Sequence, residues 1–327
     1  MFAVFFIYGS IMYFLGLDSG GTKTEAVLTD LSGNQLRRAE GGPGNVSTLG
    51  QEGVKELISN LIENLLKGEP LSHIKNATLC FAGIGREQEN FLMSDLIASL
   101  GLTEFNLKTD AEILHFAAFD EEDGIVLEAG TGAVCVIKSG GKLKQFGGWG
   151  YLLGDDGGGY SIGRYALRKV LAEIESDQSL SDFSAQIMNH FKVKMPEEII
   201  TKVYGAESSQ MLIASCAKLV SSLALSRIQE ANVIITEAAK SLYNLVINAV
   251  ESAKIKPPYS IALAGSVLGL NSPVQDQFKE LASKSSIDFN YSDILYTSAE
   301  AALIHAIKNS GEAISDSLQL KLREPAI

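Results

Sequence analysis

An α/β fold of two related lobes facing each other across a cleft is predicted by three observations on this chain of 327 residues. Two strand-like segments end in glycine–threonine turns, Gly20-Gly21-Thr22 and Gly130-Thr131-Gly132, and a second strand follows each turn where a helix would be usual. Continuous apolar runs alternate with segments whose apolar residues recur at helical spacing. The composition, 46% hydrophobic and 20% charged, suffices for a sizeable core spread over about two domains.

The first lobe is expected over residues 12–117. Its opening strand ends at Asp18, turns through Gly20-Gly21-Thr22, returns over 25–30, and turns again at Leu31-Ser32-Gly33-Asn34 into 35–39. The common nucleotide loops lead into a helix, and the Walker spacing is absent, so neither fits. A glycine-permitted turn can still align successive N–H groups as a nest for an anion, with Thr22 and Lys23 adding donors. Asp18 makes sense beside a phosphate when a cation or its bound water lies between them. Taken alone, the stretch fits a surface hairpin with a turn-capping aspartate equally well.

Asn45 precedes a helix in which Val54, Leu57, Ile58, Leu61, Ile62, Leu65 and Leu66 form one apolar face, with Thr48 and Gln51 in a capping-box pattern. A buried strand is expected over 77–82, a helix over 88–100, and a short strand over 105–108 that ends at Asp110. A carboxylate just past the carboxyl end of a buried strand is where open α/β sheets place their ligands.

The second lobe is expected over 118–309 and repeats the opening. Strand 124–128 leads into Gly130-Thr131-Gly132, strand 133–137 follows, and the chain turns at Ser139-Gly140-Gly141. Two such nests suit a grip on both ends of a polyphosphate, and so phosphoryl transfer, where positioning and charge neutralisation carry most of the catalysis. A third strand, 259–264, runs into Gly265-Ser266, a small turn against which an adenosine could lie, before a helix over 272–284. Residues 167–252 are rich in helical pattern, clearest over 211–225 and 236–250, and read as the covering of the larger lobe. The tail, 310–327, is expected to return to the first lobe.

Composition excludes several classes. A net charge of −12 argues against nucleic acid or an anionic membrane as a partner. Cys80, Cys135 and Cys216 lie in apolar surroundings with no paired spacing and read as reduced, buried thiols of a cytoplasmic protein. The four histidines have no metal-ligand spacing. The apolar start is too short for a membrane span and lacks signal-peptide features, so residues 1–11 are read as an extra leader before a natural start at Met12.

The stretches LGLDSGGTKTE, KTDAE, LEAGTGAV, GGWGYLLGDDGGGYSIG and LAGSV, in this order, resemble the sugar kinase, Hsp70 and actin superfamily. Within it they resemble the N-acetylglucosamine kinase and BadF/BcrA-type ATPase group, over about Tyr13 to Ala306. The resemblance implies two ribonuclease H-like (actin-like ATPase) lobes, ATP and Mg²⁺ as cofactors, a small-molecule sugar as substrate, and a homodimer. It implies that Asp18 holds Mg²⁺ through water, that Gly20, Gly21, Thr22, Lys23, Gly130, Thr131 and Gly132 surround the ATP phosphates, and that Gly265 and Ser266 sit by the adenosine. Asp110 is implied as the general base for the sugar 6-hydroxyl, with Asn45, Gly148, Trp149 and Asp155 binding the sugar. Trp149 is the only tryptophan and stands between two glycines, a setting suited to a ligand platform.

The sequence departs from the amino-sugar kinases at Ala133-Val134, where Ser-Asn is usual, and at Gly158 and Ser161. These changes fall near the sugar and phosphate positions, so a kinase is better supported than the identity of its sugar; N-acetylglucosamine leads, with glucosamine, glucose and N-acetylmannosamine beside it. The rivals are an ATPase that activates a partner enzyme through a cysteine-held cluster, and a regulator without turnover.

Overall fold

A computed structural model describes residues 11–21, 23–81, 84, 87–176, 179–285 and 287–323. The expected leader falls outside these residues except for Ile11, and Thr22 falls outside them as well. The chain divides into two compact units, Met1–Asp120 with Leu295–Ile327, and Glu121–Ile294.

The first unit runs β1 (Tyr13–Ser19), β2 (Thr24–Asp30), β3 (Arg37–Gly41), α1 (Val46–Leu66), β4 (Ile74–Phe81), α2 (Glu87–Ser99), β5 (Phe105–Thr109) and α3 (Asp110–Phe119). Its sheet has the order β3-β2-β1-β4-β5, antiparallel through β1, β2 and β3 and parallel through β1, β4 and β5. Strand β1 is apolar on both faces because both are covered. Tyr13, Leu15 and Leu17 pack with Val54, Ile58 and Ile97 of α1 and α2. Phe14, on the other face, packs with residues from the far end of the chain, Ala299, Leu303 and Leu318.

The second unit runs β6 (Gly124–Ala129), β7 (Ala133–Ser139), β8 (Lys142–Gly147), α4 (Gly159–Glu175), α5 (Asp182–Phe191), α6 (Glu198–Tyr204), α7 (Ser209–Ala214), α8 (Cys216–Leu225), α9 (Gln229–Ala253), β9 (Tyr259–Ala264), α10 (Pro273–Lys284) and β10 (Phe289–Ser292). Read from its β8 edge, the sheet order β8-β7-β6-β9-β10 repeats the first unit strand for strand, with the same parallel and antiparallel senses. Helices α4, α5, α8 and α9 bury Ile162, Ile187, Val220 and Leu242 in one core with Leu127 and Cys135 of the sheet. Helix α9 is long and apolar enough to cross a membrane by length and composition, and its apolar stripe is part of this core.

The chain then returns to the first unit with α11 (Ser298–Asn309) and α12 (Asp316–Arg323). The sequence expectation gave 295–309 to the second lobe and returned the chain only at 310; the division lies at Leu295 instead. The physical reason is Gly16 in the middle of β1. A Cβ there would lie 2.2 Å from both the Ala299 carbonyl oxygen and the Leu303 nitrogen, so the absent side chain lets α11 lie directly on the strand. The expected helix over 211–225 is also corrected, because two helices, α7 and α8, meet at Ser215.

Candidate active site

In the first unit, β1 delivers Asp18 and Ser19 to the turn, where the Gly20 N–H donates to the Lys23 carbonyl at 3.0 Å. The loop before α1 is clamped onto this hairpin. The Gly44 N–H donates to the Gly20 carbonyl at 3.1 Å, and a Cβ on Gly44 would lie 1.8 Å from Ser19 Oγ. Asn45 therefore follows directly from a residue fixed against the hairpin. Lys23 is tied to the sheet surface, its Nζ 2.6 Å from Glu25 and 3.7 Å from Glu40.

Asp110 opens α3 immediately after β5. Thr109 caps the helix in a reciprocal box with Glu112, and the Ala111 N–H donates to Asp110 Oδ1 at 2.9 Å. Asp18 and Asp110 thus stand at the carboxyl ends of parallel strands β1 and β5 with β4 between them. Burial first, then the Asp110 and Glu25 charges, together push the Asp18 carboxyl up to about 6 against the opposing charge of Lys23. Burial also raises Asp110, while the Ala111 N–H favours its ionised form. Two carboxylates that repel each other at strand ends fit a hard divalent cation, the donor chemistry Mg²⁺ prefers. Among the described residues no cluster of three or more His, Cys, Asp or Glu could hold a metal alone. The residues present therefore fit an ion that takes most of its ligands from phosphate and water.

In the second unit the Gly130-Thr131-Gly132 hairpin is held by its carbonyls. The Gly159 N–H donates to the Gly130 carbonyl at 2.8 Å and the Tyr160 N–H to the Thr131 carbonyl at 3.0 Å, so the first turn of α4 grips the hairpin. In a trans peptide the N–H points opposite to the C=O, and the N–H groups of Thr131 and Gly132 accordingly point away from α4, as a nest requires. The Gly265 turn closes the other side. The Val267 N–H donates to the Ala129 carbonyl at 2.9 Å, and a Cβ on Gly265, at φ 85°, would lie 2.4 Å from that oxygen.

A cavity of about 700 Å³ opens beside the hairpin, lined by Gly130, Thr131, Met211, Lys218, Ser266 and Leu270 among others. Its size is that of a small-molecule or cofactor site. Of the sequence-predicted nucleotide residues, Gly130, Thr131 and Ser266 line it together.

The GGWG element leaves β8 with Gly147, Gly148 and Gly150 all at positive φ. Trp149 is 75% exposed. Asp155, itself at φ 61°, returns its carboxylate towards both features. It accepts from the Gly150 N–H, and its Oδ2 lies 2.3 Å from where a Gly132 Cβ would be. Its Oδ1 is buried and has no hydrogen-bond partner among the described residues. Burial raises its pKa, the Gly150 N–H opposes this, and the Asp156 charge adds to it. Gly148, whose N–H donates to the Ala133 carbonyl, and Asp155 thus lie against the hairpin and the start of β7, with the exposed Trp149 between Gly148 and Gly150. Ala133 and Val134 begin β7, Ala133 buried opposite Ala129 and Val134 opposite Glu128.

Sequence reasoning missed the grip of α4 on the hairpin, and the cavity wall made by α7 and α8. The Gly157-Gly158-Gly159 run ahead of an amphipathic helix was the available signal for the first: a Cβ on Gly158 would lie 2.6 Å from the Gly132 carbonyl.

The model of the BadF/BadG/BcrA/BcrD ATPase family matches residues 15–303. Curated relatives include an N-acetylmuramic acid/N-acetylglucosamine kinase of Clostridium acetobutylicum, 29% identical over 273 residues that cover 82% of this chain and 89% of the relative. An N-acetyl-D-glucosamine kinase of Dictyostelium discoideum is 27% identical over 248 residues, 71% of this chain and 77% of the relative. Among solved structures, a Chromobacterium violaceum protein described as a candidate N-acetylglucosamine kinase superposes with a TM-score of 0.73 at 23% identity, covering 90% of this chain and 99% of that one. A ROK family glucokinase from Streptomyces griseus, solved with glucose and AMPPNP, gives 0.58 at 15% identity, covering 90% and 98%.

Proposed function

This chain belongs to the BadF/BadG/BcrA/BcrD ATPase family, and we propose that within it the protein is a Mg²⁺- and ATP-dependent amino-sugar kinase that phosphorylates the 6-hydroxyl of N-acetylglucosamine or a close relative. Its two units carry the fold of the actin-like ATPase sugar kinases. The observation that carries the kinase reading over a partner-activating ATPase is the Asp155 Oδ1, a buried acceptor without a partner among the described residues, beside the Gly130-Thr131-Gly132 hairpin and the GGWG turn. A buried acceptor needs a donor, and a sugar hydroxyl supplies one. The cysteines support the same choice: Cys80, Cys135 and Cys216 are buried in β4, β7 and α8, away from the loops where cluster ligands would stand.

In this reading Asp110 accepts the proton of the sugar hydroxyl as its oxygen bonds to the γ-phosphorus and the bond to the β-phosphate oxygen breaks, releasing ADP. Burial raises its pKa, which makes it a stronger base towards that hydroxyl, and the Ala111 N–H opposes the shift. The bound cation would neutralise phosphate charge from Asp18. The N–H groups of Thr131 and Gly132 hold phosphate, the Gly265-Ser266 turn holds the adenosine, and Asn45, Trp149 and Asp155 orient the sugar. Gly20, Gly21, Thr22 and Lys23 would complete the phosphate contacts. The lack of hydroxyl and amide side chains at Ala133 and Val134 removes contacts worth about 0.5–1.5 kcal/mol each, which lowers affinity without removing the reaction. The protein is read as cytoplasmic and homodimeric, the assembly implied by the family resemblance.

Coupled ADP release with Mg·ATP and a panel of N-acetylglucosamine, glucosamine, glucose, N-acetylmannosamine and a sugar-free blank tests the proposal. Strong stimulation by an amino sugar is expected. Equal ADP release with and without sugar refutes it in favour of the activating ATPase.

A further inference from the structure

The cavity beside Gly130-Thr131 has a feature that the family motifs do not contain. Among its described lining residues Lys218 alone carries charge, and none is acidic. In a chain of net charge −12, Lys218 forms no hydrogen bond or ion pair with any described residue. Other lysines, Lys55 and Lys202 among them, also lack a partner among the described residues, and Lys218 differs from them in lining a cavity. An unpaired ammonium facing a hydroxyl-lined cavity is arranged for an anionic ligand.

The position of that anion follows from the wall. One face of α7 and α8 presents Met211, Ser215, Lys218, Ser222 and Leu225 in turn to the cavity. The hairpin end is fixed by Thr131 Oγ1, which donates to the Met211 sulfur at 3.8 Å. Lys218 stands seven residues further along the wall, past the junction of α7 and α8 at Ser215. The far end is apolar, where Leu225 and Leu270, 62% and 91% exposed, line the same cavity. A nucleotide with its terminal phosphates at the hairpin and its base between those leucines passes Lys218 midway. Helical side chains lean towards the N-terminus, which tilts the long lysine stem back towards the hairpin.

We propose that Lys218 binds the α-phosphate of the nucleotide and so makes the second unit selective for nucleotides over nucleosides. This deepens the kinase reading and rests on its placement of ATP in this cavity. Lys218 is exposed, so its replacement leaves the core intact.

Titration calorimetry of wild type, Lys218→Gln and Lys218→Arg with ADP, AMP and adenosine tests the assignment. Loss of one charge-assisted contact is expected to weaken ADP and AMP about tenfold in Lys218→Gln, with adenosine within twofold of wild type. Lys218→Arg should recover most of the loss, and the Lys218→Gln deficit should shrink at high salt. ADP and AMP binding within twofold of wild type in Lys218→Gln overturns the proposal. Equal weakening of adenosine also overturns it, since it marks a packing role, and so does weakening of ADP with AMP untouched, which moves the contact to the β-phosphate. These are binding measurements without sugar, so they stand apart from turnover: wild type that binds ADP but phosphorylates no sugar refutes the kinase reading and leaves Lys218 testable.

Discussion

Asp155 and Gly132 occupy adjoining space so closely that a Cβ on Gly132 would sit 2.3 Å from the Asp155 carboxylate. The hairpin assigned to phosphate and the carboxylate assigned to sugar are therefore in mechanical contact within the second unit. The absence of one methyl group lets them share that corner.

Gly132→Ala should displace the carboxylate, since the clash is with the tip of a side chain and the Asp155 Cβ is 3.5 Å away. The expected outcome is a sugar KM raised about tenfold, consistent with losing one or two hydrogen bonds to a charged group, with the ATP KM changed less. A thermal melt should shift little. Steady-state kinetics in both substrates decides, and an unchanged sugar KM would separate Asp155 from the sugar.

Asp110→Asn keeps the shape of the first turn of α3 and removes the proton acceptor. Turnover should fall by at least about 10²-fold, the low end for a general base, with ADP binding retained. Turnover near wild type would take Asp110 out of the chemistry.

Asp18 makes a prediction about the metal-free protein. Its carboxyl is raised to about 6, against about 3.9 in an unfolded chain. Between these values the folded state binds more protons than the unfolded one, so this group's contribution to stability falls as pH rises through the window and its full cost is present above it. Asp18→Asn should therefore stabilise the metal-free protein at pH 7.5, by on the order of 1 kcal/mol after allowance for its partial contact with solvent. The advantage should shrink towards pH 4. Urea denaturation with a chelator at several pH values measures this, and added Mg·ATP should protect wild type more than the variant.

Trp149 is the only tryptophan of the chain and is 75% exposed, so its emission reports one place. Saturating sugar should shift that emission to shorter wavelength as water leaves the ring, and ADP alone should not. Trp149→Ala should raise the sugar KM more than the ATP KM without loss of stability. Equal changes in the two constants would reduce Trp149 to a support for its turn.

Much of the candidate site is legible locally. Asp18, Gly20, Gly130-Thr131-Gly132 and Asp110 all stand at strand ends, and strands with their turns are signalled within a few residues. The elements that escaped depend on distant packing. Helix α11 looks locally like any apolar helix, and its place on β1 is written in Gly16, nearly three hundred residues earlier, as room for a backbone. Lys218 escaped for a related reason: helical periodicity over 211–225 identifies an apolar face to be buried, and the break at Ser215 and the cavity beyond it belong to the tertiary structure.

The interrupted course of the first unit has a temporal meaning. The second unit is one continuous stretch, Glu121–Ile294, whereas Phe14 and Val27 of the first meet Leu303, Leu318 and Leu322 only after that whole stretch has been synthesised. On the ribosome, domains fold as their residues emerge. Each newly made molecule therefore has the whole of its second unit, with the cavity beside Gly130-Thr131, before it has the helices α11 and α12 that cover one face of the sheet carrying Asp18 and Asp110.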